Sequence, residues 1–502
     1  MRDVKREVAL RHWRSAAAFY QERDHRTSLG VADIAGYAQR AIEIHIDPAF
    51  AEQPTTQVIA LVAANLTARW ARNVRVILPD VRLHPEYQRG GYRHLGERII
   101  AEMSAADPFG NFQLEDSQRS HITSAQPPLR LLIGPFRKES WINSEDFIVY
   151  ATGWTALGKR GDGFECELAP TTTIAASGLA ASLGVADIFK RAIGHPAAHW
   201  LPNFSWDTWA HRLRHESDLT SEAPAPPRCL DLGETLLAGV GAIGSSFLYL
   251  ADLLPLRGSL TVLDRDAAET SNLNRSPMFT TEDVINAAKK TDVARRYLAW
   301  QEISIRTVDG TWRDHSTQMA EHPFDVWISL TNEDGAWAEV PFLLPPIVLQ
   351  ATTTSGWGMG AGRHIPRRED CVFCRLPRPE TQFRGPCAEG NIAPDEATLP
   401  AQAALPFLSA GAASLLLAEY LKLGSESLIA TPNEVGVDLR YGLPTVMAHS
   451  RMQFNECRGC AIAQSKLWER RGGRGRFSHY SFDNPDFRIM GKRYLDQGLT
   501  ID

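Results

Sequence analysis

Long apolar runs are missing from this chain of 502 residues. The longest, "LPFLSAGAASLLLA" (405–418), is too short and too rich in small residues to span a bilayer. Positive charge is not in excess either. Lys and Arg number 53 against 59 Asp and Glu, a net charge of −6, so no global basic field marks nucleic acid as the main partner. The opening stretch "MRDVKREVALRHW" lacks the apolar core of an export signal. The 15 histidines show no H-x-x-H or H-E-x-x-H spacing, which argues against a catalytic zinc. Cysteine is sparse, at seven residues, and without an export signal such thiols are expected to bind metal or react in a reducing, cytoplasmic setting. What remains is an ordinary soluble composition, 44% hydrophobic and 22% charged, with length for two to four domains.

The clearest break is "SEAPAPP" (221–227), an Ala/Pro stretch that resists helix and divides the chain into comparable halves. The halves share a pattern. "ASLGVADIFKRAIG" (181–194) and "ASLLLAEYLKLG" (413–424) both begin Ala-Ser-Leu, carry Ala and an acid at one spacing, and end a helical periodicity in Gly. Upstream, "VIALVAANLTARWARNVRVILPD" (58–80) reads as strand, helix and a strand ending in Asp80. "LLAGVGAIGSSFLYLADLLPLRGSLTVLDRD" (236–266) reads alike. Superposed, Leu61, Ala63 and Leu66 stand where the second stretch has Gly239, Gly241 and Gly244. A duplicated α/β unit follows, its first copy lacking the glycines.

"GVGAIG" between an apolar run and a helical pattern is a phosphate-binding turn: the glycines allow close backbone approach, and the helix N-terminus offers unpaired N–H groups. Asp264, 20 residues beyond Gly244 at a strand end, suits a ribose hydroxyl. To this point a dehydrogenase fits as well as an ATP enzyme. Asn272, Arg275, Lys289 and Lys290 then discriminate. A hydride-transfer site has no need of cations at this corner, whereas a triphosphate does.

Glycines 239–244, the D-R-D strand end at Asp264 and Asp266, and "SNLNR" (271–275) resemble the superfamily of ThiF, MoeB and the ubiquitin-activating enzymes. The resemblance covers most of 228–465. It implies adenylation of the C-terminal carboxylate of a ubiquitin-like or sulfur-carrier protein by Mg-ATP. Asp264 would hold the ribose, and Asn272, Arg275 and Lys290 the phosphates. Lys290 is preferred over Lys289 because "KTDVA" matches the family's lysine and following alanine better. One departure stands in "FDVWISLTNED" (324–334): Asn332 occupies the place of a magnesium-binding aspartate, a weaker ligand for a hard cation, with Asp334 nearby.

Two C-x-x-C pairs, Cys371/Cys374 and Cys457/Cys460, have the spacing of knuckles that close a tetrahedral four-cysteine zinc site, an arrangement also seen in superfamily members. A redox-active C-x-x-C is the rival reading. Cys387 in "RPETQFRGPCAEGNIAP", ahead of a helix containing "AEYLK", resembles the acceptor cysteine that takes an acyl group from the adenylate as a thioester. Cys166 and Cys229 read as structural.

The expectation is thus an α/β protein of two Rossmann-like adenylation domains forming an intramolecular pseudo-dimer. Residues 1–220 form an inactive domain, 221–227 a linker, 228–465 the active domain and 466–502 a tail, with "RRGGRGRFSHY" (470–480) inside that flexible tail. Arg23 or Arg26 in "YQERDHRTSLG" is a candidate to reach ATP from the first domain. Expected partners are a ubiquitin-like protein and a conjugating-enzyme-like protein, with neither membrane nor nucleic acid. The compact layout resembles activators of bacterial antiviral conjugation operons. A sulfur-carrier activator and a non-catalytic scaffold remain open alternatives.

Overall fold

The computed structural model describes residues 2–25, 34–116, 127–136, 140–161, 163–164, 169, 171–214, 223–331, 336, 340–354, 357–371, 374, 405–440, 445–452 and 457–482. Two eight-stranded mixed sheets carry them. The first holds β1 (Ala41–Ile46), β2 (Asn73–Ile77), β3 (Asn111–Glu115), β4 (Leu129–Ile133), β5 (Phe147–Thr152), β6 (Thr155–Arg160), β7 (Phe204–Asp207) and β8 (Arg212–Leu213). The second holds β9 (Leu230–Ala238), β10 (Leu256–Asp264), β11 (Ser304–Asp309), β12 (Val326–Ser329), β13 (Ile347–Thr354), β14 (Gly358–His364), β15 (Glu434–Asp438) and β16 (Thr445–His449). Their orders are β3-β2-β1-β4-β5-β6-β7-β8 and β11-β10-β9-β12-β13-β14-β15-β16, one topology used twice.

In each sheet the first five strands are parallel and the last three antiparallel. The registers agree as well. Ile44 of β1 lies opposite Val76 and Leu131, as Leu236 of β9 lies opposite Thr261 and Trp327. Strand order reverses between β9 and β12, which opens a crevice at their C-terminal ends.

Helices in chain order are α1 (Arg2–Trp13), α2 (Ala16–Arg23), α3 (Ile34–Gln39), α4 (Pro54–Ala68), α5 (Leu95–Ala106), α6 (Ile174–Ala192) and α7 (Ala242–Ala251). After these come α8 (Thr281–Ile285), α9 (Lys290–Tyr297), α10 (Trp312–Glu321), α11 (Pro406–Lys422), α12 (Arg458–Ile462), α13 (Lys466–Arg470) and α14 (His479–Phe482). Four of them, α4 and α6 from the first half and α7 and α11 from the second, pack together between the sheets. All four are almost wholly buried, with no stripe left facing solvent. Their buried side chains belong to one continuous hydrophobic core that includes both sheets.

Where α6 crosses α11, small residues set the approach. A Cβ on Gly178 would lie 2.7 Å from Ser414 Oγ and 2.8 Å from Leu250 Cδ2. The two serines are equivalent: Ser182 donates to Gly178 O at 2.7 Å and Ser414 to Ala410 O at 2.8 Å. The sequence repeat at 181–194 and 413–424 is this pair of helices.

The stretch 58–80 does not fold as the expected strand, helix and strand. Residues 58–68 belong to α4, so Leu61, Ala63 and Leu66 are helical core positions and not a phosphate turn. A short apolar run carries no signature separating buried strand from buried helix, and here Pro54 at the first helical position starts a helix. The turn that corresponds to 239–244 runs from 47 to 53, "DPAFAEQ", and it too holds no glycine. Strand β2 ends at Ile77, and Asp80 lies beyond it, accepting from His94 Nδ1 at 2.6 Å.

The stretch expected as a flexible tail is packed as far as residue 482. Phe477 and Tyr480 are buried in the main core, and Tyr480 Oη donates to Leu423 O and Ser425 O. Arg476 pairs with Asp231 at 2.8 Å, and its N–H donates to Asp325. Gly/Arg richness suggests a flexible tail, but the aromatic residues placed after it supply a buried anchor.

Gly178→Leu should lower unfolding free energy by about 1–3 kcal/mol through overpacking at the crossing, read from a denaturant midpoint. Gly424→Ala, where a Cβ meets nothing within 4 Å, should stay within about 0.5 kcal/mol of the parent.

Candidate functional site

The glycine turn joins β9 to α7 at the crevice. Gly239 has φ +99°, and a Cβ there would lie 2.9 Å from the carbonyl carbon and oxygen of Leu330 at the end of β12. A Cβ on Gly244 would overlap the Gly239 carbonyl, so helix and strand meet at glycine's closest distance. Gly241 differs: nothing lies within 4 Å of a Cβ placed there, and it caps α7 without a side chain. The first two required glycines close the turn, and Gly241 leaves the helix N–H groups open to an anion.

Asp264 ends β10 against this turn. Its Oδ2 accepts from the Val240 N–H at 2.6 Å and its Oδ1 from the Asp266 N–H at 2.9 Å, which fixes the carboxylate beside the glycines. The chain then makes an excursion whose ends are zipped together. Ala267 bridges Lys289, the Ala268 N–H donates to Ala288 O, and the Lys290 N–H donates to Asp266 O. Lys290 is buried and its Nζ lies 2.8 Å from Asp266 Oδ2. Partial burial raises the Asp266 carboxyl, but the Lys290 hydrogen bond and charge outweigh this and hold it below its ordinary value. Lys289 points elsewhere, exposed and 3.3 Å from Asp309.

Asn272 and Arg275 sit inside the excursion, both buried. Asn272 Oδ1 accepts from the Glu269 N–H at 3.0 Å, closing a short turn over Thr270–Asn272. Arg275 Nη1 donates to Ser271 O at 2.6 Å and to Asn274 Oδ1 at 3.1 Å. Gly239, Gly241, Gly244, Asp264, Asp266 and Lys290 are therefore tied to one corner by direct bonds, and Asn272 and Arg275 are carried on the loop that corner closes. An anion-accepting helix end beside a buried lysine and an arginine-bearing loop has the chemistry to hold phosphates. Asn332, Asp334, Cys387, Arg26 and Cys166 lie outside the described residues.

Arg23 cannot serve as an arginine reaching out of the first half. It is fully buried, with Nε 2.6 Å from Asp24 Oδ1, Nη1 2.7 Å from Asp107 Oδ2, and its guanidinium over Tyr20. The sequence signal was only charge, and charge does not distinguish a loop tip from a buried pair. A cleft of about 360 Å³ does open in the first half, over β2 and β3. Asp80, Glu97, Glu115 and Asp116 line it, and these carboxylates would repel a triphosphate, so it is not read as a second nucleotide site.

The four paired cysteines converge. Cys371 Sγ lies 3.8 Å from Cys374 Sγ and 3.6 Å from Cys457 Sγ, and Cys374 Sγ lies 3.4 Å from Cys460 Sγ. All four sulfurs fall within 4.8 Å of one another. Tetrahedral zinc–thiolate bonds of about 2.3 Å place sulfurs roughly 3.8 Å apart, so the donor set fits a zinc ion held by four thiolates. The centre links the segment after β14 to the start of α12, and around it Arg367 Nε donates to Ala463 O at 2.9 Å. Cys229 is half-buried and outside this cluster.

Two residues of the first half that carry no motif also touch the excursion. Trp13 Nε1 donates to Thr270 Oγ1 at 3.3 Å, and Arg69 donates to the carbonyls of Leu273, Pro277 and Phe279. Nothing local marks them: both occupy helical patterns whose partners lie more than 200 residues away.

Gly241→Val should leave the melting temperature nearly unchanged and weaken any binding of a phosphate anion at this turn by about tenfold or more, because a side chain there blocks only the anion's approach. Replacing Cys374 or Cys457 by Ser should reduce bound zinc from about one equivalent toward zero by elemental analysis, with a lowered melting temperature.

Residues 230–331, from the start of β9 to the end of β12, match the ThiF family. The uncharacterized protein y4jF of Sinorhizobium fredii (strain NBRC 101917 / NGR234) is 29% identical over 235 residues, 45% of this chain and 43% of its own length. The chain thus spans under half of that curated relative. Solved structures of E. coli MccB are also similar. The complex with ATP is 17% identical, covers 46% of this chain and 67% of that one, and has a TM-score of 0.36. The complex with MccA-N7isoASN is 17% identical over 45% of this chain and 66% of that one, with a TM-score of 0.35. No helix among the described residues is long and apolar enough to cross a membrane. The likeness to the ThiF family is thus confined to residues 230–331, in the second half of the chain.

Proposed function

We propose that the second half activates the C-terminal carboxylate of a ubiquitin-like protein with Mg-ATP and hands the acyl group to Cys387. The observation that carries this reading is the glycine turn, open over Gly241 and bonded through Asp264 to the corner held by Asp266 and Lys290, inside a ThiF-family match. In the proposed reaction a carboxylate oxygen attacks the α-phosphorus, a C–O–P bond forms, and the α–β anhydride bond breaks to release pyrophosphate. The α7 N-terminus, Arg275 and Lys290 would take up the charge that builds on the phosphates. Asn272 would complete the polar frame and Asp264 would accept from the ribose, while Lys289, turned to Asp309, stays outside it. Magnesium would be held mostly by phosphate oxygens, with Asn332 as a neutral ligand.

The adenylate is a mixed anhydride. The Cys387 thiolate would attack its carbonyl carbon, forming a thioester and releasing AMP, and a conjugating-enzyme-like partner would accept the acyl group next. Residues 1–220 would be an inactive copy, so that one chain supplies both members of a pseudo-dimer. The four-cysteine centre would be structural, since four thiolates leave zinc no open position for substrate.

ATP–pyrophosphate exchange, run with ubiquitin-like proteins encoded beside this gene, tests the reading. Exchange is expected in the parent and in Cys387→Ala, with a thiol-cleavable adduct only in the parent. Lys290→Met should reduce exchange by about 10²–10³-fold. Exchange without an adduct in either protein would remove the thioester step, and a parent that supports no exchange with any of these proteins would sink the proposal.

A further inference from the structure

The loop that carries Asn272 and Arg275 is held from the other half of the molecule. Arg69 follows the last turn of α4, where it is 1% exposed. Its guanidinium is spread over one short segment: Nη1 donates to Leu273 O at 2.7 Å, and Nη2 donates to Pro277 O at 2.7 Å and Phe279 O at 3.3 Å. Nε donates to Asn65 Oδ1 at 2.8 Å, and Asn65 Nδ2 donates to Pro277 O at 3.2 Å and to Glu102 Oε2 at 3.1 Å. Glu102 also accepts from Tyr249 Oη at 2.7 Å and from Arg98 Nε at 2.8 Å. Tyr249 belongs to α7, the helix whose N-terminus is the glycine turn. One buried network of α4 and α5 thus grips both the nucleotide helix and the phosphate loop.

The three carbonyls flank the residues of interest. Leu273 lies between Asn272 and Arg275, and Pro277 and Phe279 are just beyond them. A guanidinium is suited to this task because its planar fork presents donors at fixed angles, whereas a lysine would offer a single swivelling ammonium. Burial pushes Arg69 down to about 9, opposed chiefly by Tyr249 and Glu102, so it stays protonated at neutral pH.

We propose that Arg69 is a positioning residue for the nucleotide corner of the opposite half. By fixing the backbone of 273–279 it sets the aim of Asn272 and Arg275. The inference rests on the adenylation reading for its catalytic consequence, but not for the loop's order. The first half is then more than an interface, since the active corner cannot hold its geometry without it.

The test compares the parent with Arg69→Met and Arg69→Lys in the full chain. Hydrogen–deuterium exchange over 271–279 is measured without nucleotide, and the ATP dependence of pyrophosphate exchange is measured in parallel. Arg69→Met should speed amide exchange over 271–279 by about tenfold while β9 and β10 stay protected. It should also raise the KM for ATP by about tenfold with a smaller change in kcat, and Arg69→Lys should recover part of both effects. If Arg69→Met does not fold, Arg69→Lys alone decides, with a loosened loop and a raised KM expected. Parent-like exchange over 271–279 in Arg69→Met, or in Arg69→Lys where Arg69→Met does not fold, would overturn the proposal. A loosened loop in a protein whose parent gives no pyrophosphate exchange would overturn the adenylation reading and leave the positioning role standing.

Discussion

The crossing of α6 and α11 is the contact on which the remainder depends. Neither helix has a solvent face, so neither half can hide its central helix without the other. Glycine and serine at the crossing bring the two backbones together, and their hydroxyls are returned to their own helices so that no polar group is stranded. The hydrophobic core is accordingly continuous across the halves rather than split at the linker.

Charges buried beside that crossing follow the duplication. In the first half Arg160 reaches Asp187 at 2.5 Å, and in the second Arg363 reaches Glu419 at 2.6 Å from the matching helix position. Each helix also has a lysine one turn on that crosses to the other half. Lys190 donates to Leu439 O, and Lys422 lies 3.0 Å from His211 Nε2. Burial and the Lys422 ammonium push His211 down to about 4, so it stays neutral near pH 7, and its Nε2 also lies 2.6 Å from Glu419 Oε1. Burial opposes the Glu419 charge, but Lys422 and Arg363 outweigh it and hold the carboxyl low. Such ion pairs add little net stability over apolar packing, but a shifted docking of the halves would leave each charge unpaired, which disfavours that docking strongly.

Shared architecture does not mean shared chemistry. The crevice between β9 and β12 has three glycines and Lys290 behind Asp266, whereas the matching turn after β1 has none, and the cleft over β2 and β3 is lined with carboxylates. Backbone clearance and electrostatics therefore separate two halves that topology makes alike. The specialised corner in turn leans on the unspecialised half, through Arg69, Asn65 and Glu102.

Features encoded by local pattern were legible in the sequence. The glycine turn with Asp264, the two C-x-x-C pairs and the repeat of α6 in α11 are carried by spacing alone, because each depends on what one turn of backbone allows. Register between the copies was not. An apolar stretch such as 58–66 satisfies strand and helix equally; the structure makes it part of a helix begun at Pro54 and packed against α5 and α6. Tertiary structure alone decided the fate of the arginines. Arg23 and Arg69 look alike in sequence, yet one is neutralised by Asp24 and Asp107 and the other is spent on carbonyls of the opposite half, because a charge's role is set by the partners that folding brings to it.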